Sequence, residues 1–268
     1  MKEPIGIFDS GIGGLTVLKE ILRILPYENI IYLGDTARVP YGIRSHETIL
    51  KYSYANADFL MNQRIKLLVI ACNTASSVST EKLRERYKIP VIEVITPGAK
   101  GASEITENGK IGVIGTEATI RSGTYLRAIK TFNPQLQVYL KACPLFVPLV
   151  EEGWTEEDNE VSLMVADKYL HELRDKNIDT LVLGCTHYPL LKGVIRKVMG
   201  RYIRLIDSAQ ETAKEIMKIL QERNLMNEGQ IKGSLQFFVT DDPERFKTMG
   251  YRFLEIEIEN VTRVETIR

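Results

Sequence analysis

The chain has 268 residues, enough for one large α/β domain or two smaller ones. Its hydrophobic share of 44% and charged share of 26% are those of an ordinary globular protein, and 35 basic side chains balance 35 acidic ones. A nucleic-acid binder would show a basic excess or stripe, and no apolar run reaches the roughly 18 residues of a membrane span, so neither partner is expected. In chain order, "IGIF" (Ile5–Phe8) reads as a buried strand. The helix behind it sets Leu15, Leu18, Ile21, Leu22 and Leu25 on one face. "IIYL" (Ile30–Leu33) leads into a loop with Pro40 and Gly42, and Ser45 is placed to cap a helix reaching about Gln63. "LLVIA" and "VIEV" complete a first group of strands, and "TPGAK" (Thr96–Lys100) reads as a turn.

A second group runs through "IGVIG" (Ile111–Gly115), "LQVYL", "TLVLG" and "IRLI". Helices are expected near Ser122–Phe132, Glu157–Lys176 and Leu190–Met199. Apolar strands alternating with helices indicate parallel sheets covered on both faces, so the fold class is α/β. The two groups also echo one another. "PIGIFDSGIGGLTVLKEI" and "KIGVIGTEATIRSGTYLRAI" each give a strand, a small-residue turn and a helix. Each is followed, at nearly the same offset, by a strand ending in cysteine: "LLVIACNTAS" and "TLVLGCTHYP". Two similar α/β units joined near Thr96–Lys100 account for this, related by a pseudo-twofold with a cleft between them. The remainder reads as a helix (Ala209–Arg223), a strand "LQFFVT", a short helix after Asp242 and an alternating strand "RFLEIEIENV". Periodicity alone does not say which unit these join.

The cysteines carry the chemistry. Cys72, Cys143 and Cys185 are few, odd in number and without a C-x-x-C pair, so neither a disulfide framework nor a metal site is expected. Thiols kept reduced in the cytoplasm fit better. Ligands of open α/β sheets bind beyond the carboxyl ends of the strands, where Cys72 and Cys185 stand just ahead of helices whose N-termini favour thiolate. Two thiols approaching one α-carbon from opposite faces are what a racemisation without cofactor needs: a base on one side and an acid on the other. Asp9 and His187 are placed to tune one thiol each. Ser10, Asn73, Thr74 and Thr186 could hold an amino acid's carboxylate and ammonium. Cys143, among apolar neighbours and without a counterpart in the other half, reads as structural.

Other chemistries fit less well. "DSGIGG" is not a dinucleotide fingerprint, because Thr16 stands where the third glycine belongs. A redox dithiol made of Cys72 and Cys185 would need the sulfurs to close the gap a substrate occupies. A hydrolase using Cys185 and His187 leaves Cys72 unexplained. A pyridoxal-phosphate racemase needs a Schiff-base lysine and a phosphate cup, and neither is evident.

"FDSGIGGLTV" (Phe8–Val17), "GDTARVPYG" (Gly34–Gly42), "ACNTAS" (Ala71–Ser76), "CPLFVPLVEEG" (Cys143–Gly153) and "LGCTHYPLL" (Leu183–Leu191) resemble the motifs of the bacterial glutamate racemases, in the expected order. The resemblance implies a cofactor-independent enzyme that interconverts L- and D-glutamate, the D-isomer serving peptidoglycan. It implies Cys72 and Cys185 as the acid/base thiols, with Asp9, Glu151 and His187 as their polar assistants. It implies a substrate held by Asp9, Ser10, Tyr41, Gly42, Asn73, Thr74, Thr186 and His187. It further implies that the C-terminal segment returns to the first domain, giving residues 1–97 with 208–268 as one domain and 98–207 as the other. No metal is expected, and association as a homodimer is.

Overall fold

The structure, a computed structural model, describes residues 3–229 and 231–267. The chain divides into two compact units. One runs as far as Val94 and resumes at Ala209; the other is Ile95–Ser208. The first opens with β1 (Ile5–Asp9), α1 (Leu15–Ile24), β2 (Ile30–Gly34), α2 (His46–Asn62), β3 (Leu67–Ile70), α3 (Asn73–Arg86) and β4 (Val91–Glu93). The second holds α4 (Ile95–Ile105), β5 (Lys110–Gly115), α5 (Glu117–Ser122), α6 (Thr124–Phe132), β6 (Gln137–Ala142), α7 (Phe146–Glu151), α8 (Glu160–Asp175), β7 (Thr180–Gly184), α9 (Lys192–Met199) and β8 (Arg204–Asp207). The chain then crosses through α10 (Ser208–Glu222) and returns to the first unit with β9 (Leu235–Val239), α11 (Pro243–Leu254) and β10 (Val261–Arg263).

Both sheets are wholly parallel, with helices between strands, as the near-continuous apolar runs predict. The first has the order β10-β9-β2-β1-β3-β4 and the second β6-β5-β7-β8. The repeat read from sequence is therefore a repeat of topology: β2-β1-β3-β4 and β6-β5-β7-β8 are the same winding. In each, the chain leaves the opening strand on one side and later returns to its other side. That reversal, between β1 and β3 or between β5 and β7, opens a crevice beyond the strand ends.

Local signals set most element ends. Ser45 caps α2, accepting the Thr48 N–H at 3.3 Å. Asn159 caps α8 through the Ser162 N–H at 3.0 Å, and Asp242 caps α11 through the Arg245 N–H at 3.0 Å. In α1, Leu15, Leu18 and Ile21 are fully buried. Each such side chain stabilises the packing of the helix on its sheet by about 1.5–3 kcal/mol.

Three readings from sequence are corrected. "TPGAK" is no turn but the first turns of α4: Pro97 is tolerated there because an opening turn needs no N–H from it, and Gly98 packs against Ser208. One helix expected over Ser122–Phe132 is two, broken at Gly123, whose φ of 66° is left-handed. "RFLEIEIENV" is not one strand. Its first residues finish α11, Glu255 ends that helix at φ 59°, and only Val261–Arg263 pairs with β9. Ile258 is buried, placed against Gly250, while Ile256 is exposed, so the alternation serves a single contact rather than a sheet face.

At the amino ends of the strands, buried or half-buried charges tie loops down. In the first unit Lys66 meets Glu28 at 2.6 Å and donates to the Leu225 carbonyl, and Glu28 accepts the Asn227 N–H. In the second, Asp179 accepts the Thr106 hydroxyl at 2.7 Å, the N–H groups of Glu107 and Asn108 at 2.7 and 2.8 Å, and the Thr180 hydroxyl at 2.8 Å. Burial pushes its pKa up, but these four donors outweigh burial and hold it below the ordinary aspartate value. A carboxyl depressed in the folded state stabilises above its unfolded pKa and loses that contribution as pH falls through the folded value. Asp179→Asn is expected to cost about 1–3 kcal/mol at neutral pH. Urea unfolding should show the gap to the parent closing as the pH falls below the carboxylate range.

Candidate active site

The first unit gathers one set of polar groups at the carboxyl ends of β1 and β3. Phe8 pairs with Ile70, and the Ala71 N–H donates to the Phe8 carbonyl, so Asp9–Ser10 and Cys72 leave the sheet side by side. Asp9 is buried and its Oδ2 accepts the Gly11 N–H at 2.9 Å, folding the chain into the turn that opens α1. No side chain fits at Gly14: a Cβ there would stand 2.6 Å from Asp9 Cβ and 2.9 Å from the Tyr32 hydroxyl. The Tyr32 hydroxyl braces the same turn by donating to the Gly11 carbonyl at 3.1 Å. Burial, with the charges of Asp9 and Cys72 nearby, keeps that phenol well above its usual pKa and therefore protonated.

Cys72 is the N-cap of α3. Its sulfur accepts the Ala75 N–H at 3.4 Å and lies 3.4 Å from Ser10 Oγ. A helix N-terminus carries partial positive charge, so the contact favours negative charge on sulfur. Asn73 and Thr74 occupy the first turn of α3 and are buried. Behind them Ser76, Ser79 and Thr80 donate to the Ile70, Ala75 and Ser76 carbonyls, which satisfies the polar core face of this helix. Tyr41 and Gly42 lie on a short 3₁₀ turn after Pro40. Tyr41 is buried, and Cys72 is among the charges that raise its pKa, behind burial and Asp35.

The second unit gathers another set at the carboxyl ends of β5 and β7. Cys185 follows β7 directly and is buried, with Thr186 and His187 beside it. Cys185 Sγ stands 3.9 Å from His187 Nδ1, and His187 Nε2 stands 3.2 Å from Glu151 Oε1 at the end of α7. Burial pulls the imidazole pKa down, but hydrogen bonds and charge from Cys185 and Glu151 overcome it and push the value up to about 10. Both neighbours thus favour the protonated ring, which stands between two groups able to accept from it. Glu151 keeps 25% of its side chain exposed, so the relay ends toward solvent.

Cys143 is outside this chain of contacts. It is fully buried, burial pushes its thiol far up, and its backbone carbonyl accepts the Tyr188 hydroxyl at 2.8 Å. The Tyr188 bond ties the end of β6 to the loop after Cys185, while the buried thiol itself points back to the Lys141 carbonyl.

Every site residue expected in the first unit therefore lies at or near the ends of β1, β2 and β3, and every one expected in the second near the end of β7. Two further groups were missed. Gly115 pairs with Gly184, so Thr116 flanks Cys185 as Ser10 flanks Cys72, with its hydroxyl 3.0 Å from that of Thr119. The signal was present, because aligning the two repeats sets Thr116 on Ser10. Asp35, at the end of β2, is the other.

The sequence profile of the Asp/Glu/hydantoin racemases matches residues 5–216. The chain belongs to the Asp/Glu/hydantoin racemase family. It is accordingly an isomerase, an amino-acid racemase. A glutamate racemase of Geobacter metallireducens is 54% identical over 98% of this racemase and 96% of that protein. One from Syntrophus aciditrophicus is 47% identical over the same shares. Among solved structures, glutamate racemase isoform RacE1 of Bacillus anthracis superposes with a TM-score of 0.95 at 41% identity, covering 99% of this chain and 98% of that one. Glutamate racemase of Francisella tularensis, solved in complex with D-glutamate, gives 0.93 at 41% identity over the same shares. Among the described residues of this racemase, no three or more His, Cys, Asp or Glu side chains form a group that could hold a metal ion. No helix among them is long and apolar enough to cross a membrane.

Proposed function

We propose that this racemase interconverts L- and D-glutamate by proton transfer between the α-carbon and two thiols, Cys72 and Cys185, without a cofactor. One thiolate removes the α-proton. The electron pair left on carbon delocalises into the carboxylate, and the other sulfur, as thiol, delivers a proton to the opposite face. The protein finishes with the thiol and thiolate exchanged, so the reverse reaction runs with the roles reversed. Each sulfur must approach the α-carbon to about 3–3.5 Å for this.

The observation that carries the reading is the equivalence of the cysteines. They follow the third strand of two identical windings, yet each has a different partner: a helix N-terminus and Ser10 for Cys72, the His187 ring for Cys185. Chemistry that works from both faces of one carbon needs two such groups, whereas a hydrolase would use only one of them. In this reading Asp9, Glu151 and His187 assist the thiols, while Ser10, Tyr41, Gly42, Asn73, Thr74 and Thr186 hold the substrate. Glutamate is favoured over other amino acids by the close relatives of that activity and by the one solved with D-glutamate. The product would supply D-glutamate to peptidoglycan from a reducing cytoplasm, where both thiols stay reduced, and the working form is proposed to be a homodimer.

The test is incubation of chelator-treated protein with L-glutamate in D₂O, with L-aspartate in parallel, followed by polarimetry and proton NMR. Loss of rotation together with α-deuteration of glutamate alone is expected. Neither change with either amino acid would sink the proposal.

A further inference from the structure

Asp35 has no part in the reaction just described, yet it is a fully buried carboxylate at the end of β2. A buried charge of this kind is costly unless its oxygens are well satisfied. Four side chains do so. Oδ1 accepts from Arg38 Nη1 at 2.6 Å and from the Thr240 hydroxyl at 2.9 Å. Oδ2 accepts from the Tyr41 hydroxyl and, at 3.4 Å, from Asn56 Nδ2, which also donates to the Tyr41 oxygen at 3.1 Å.

Two of these donors belong to the segment that carries Tyr41 and Gly42. Thr240 belongs to a part of the chain some two hundred residues away, just beyond β9. It also accepts the Ala37 N–H at 2.9 Å. Next to it, Thr36 and residue 241 exchange a pair of bonds: the Thr36 hydroxyl donates to the Asp241 carbonyl at 2.6 Å and accepts its N–H at 2.8 Å. From the far end, Thr266 accepts a hydrogen bond from Arg38 Nη1 at 2.8 Å. The Arg38 guanidinium then lies 5.2 Å over the Tyr52 ring, and Tyr52 packs against Tyr41 with ring centroids 5.6 Å apart. Residues 36–44 contain only short 3₁₀ turns, so these contacts rather than regular structure fix their position.

We infer that Asp35 is a positioning residue for Tyr41 and Gly42, and that the C-terminal segment is built into the substrate site through Thr240 and Thr266. The inference rests on the proposed contact of Tyr41 and Gly42 with substrate. Its physical core is that charge-assisted bonds are about twice as strong as neutral ones, so a single carboxylate outweighs the entropy of a loop without regular structure. A mere staple of the fold would weaken the whole unit when removed. A positioning group loosens residues 36–44 and raises KM while sparing the chemical step.

The experiment compares the parent with Thr266→Val and Asp35→Asn. Amide hydrogen exchange, read by mass spectrometry on ligand-free protein, follows peptides covering residues 36–44, and KM and kcat are measured for glutamate. Faster exchange confined to those peptides is expected in both variants. KM should rise about threefold in Thr266→Val and about tenfold in Asp35→Asn, with kcat within a factor of about two. Thr266→Val is half-buried at the chain end and isosteric, so it decides the matter even if Asp35→Asn does not fold. Unchanged exchange in residues 36–44, or a fall in kcat at constant KM, overturns the assignment. Should the parent fail to act on glutamate, the proposed function is lost, and the exchange data still decide whether Asp35 and the C-terminal segment hold the loop.

Discussion

Cys72→Ser and Cys185→Ser should each lose net racemisation by at least about a thousandfold, and they should fail in opposite directions. Serine keeps the size and the hydrogen bonds of cysteine, so Ser10 and the Ala75 N–H still have a partner at position 72 and His187 still has one at position 185. What is lost is a thiol, which ionises far more readily than a hydroxyl and can also return a proton. In each variant the remaining thiol can still remove the α-proton from the enantiomer it faces. Without an acid on the other side the proton comes back to the same face, exchanged with solvent. Each variant should therefore deuterate one enantiomer without inverting it and leave the other nearly untouched, and the two variants should choose different enantiomers. Proton NMR of L- and D-glutamate in D₂O reads this directly. If both variants retained exchange with the same enantiomer, or either racemised at the parent rate, the two-thiol mechanism would be wrong.

The equivalent placement of those two cysteines was legible in the sequence because the signal was repeated. One cysteine after an apolar run is usually a small buried side chain, as Cys143 is. Two at equivalent places in a duplicated winding are a pattern, and the windings β2-β1-β3-β4 and β6-β5-β7-β8 reproduce it. The fold class was legible for the same reason: β1, β3 and β7 are buried on both faces and read as unbroken apolar runs. The misses share a cause, which is tertiary context overriding local chemistry. Pro97 and Gly98 look like a turn, but Gly98 is small because Ser208 comes close, and the helix continues through it. "EIEIEN" alternates like a strand, but α11 has already used the preceding residues to close its own end. Asp35 stands in the quoted "GDTARVPYG" stretch, but its role was hidden because Thr240, some two hundred residues on, completes its bonds, and Thr266 reaches it only through Arg38.

His187→Asn should reduce activity by about a hundredfold, concentrated in the direction that Cys185 initiates. In the parent, burial works against charge on this imidazole, yet Cys185 at 3.9 Å and Glu151 at 3.2 Å hold its pKa near 10. The sign of the pH dependence follows. The imidazolium is present throughout the range where glutamate is a dianion carrying an ammonium group, and it is lost only as pH rises through about 10. Asparagine can offer an N–H to the sulfur but no positive charge, so the thiolate loses its counter-ion and the alkaline limb assigned to residue 187 disappears. Glu151→Gln makes the complementary case. It leaves the imidazole next to Cys185 but removes one of the two groups that raise its pKa, so the alkaline limb should move to lower pH with a smaller loss of kcat. The profile of kcat/KM against pH, taken in both directions, checks the two variants together, and the Cε1 proton resonance of His187 gives its titration independently. A parent imidazole titrating near the ordinary histidine value would remove the ion pair from the mechanism. A limb that moved to higher pH in Glu151→Gln would reverse the role given to the carboxylate. With the expected outcome, one fold uses two different devices for the same task at its two equivalent strand ends: helix N–H groups stabilise the charge on Cys72, and a buried imidazolium stabilises it on Cys185.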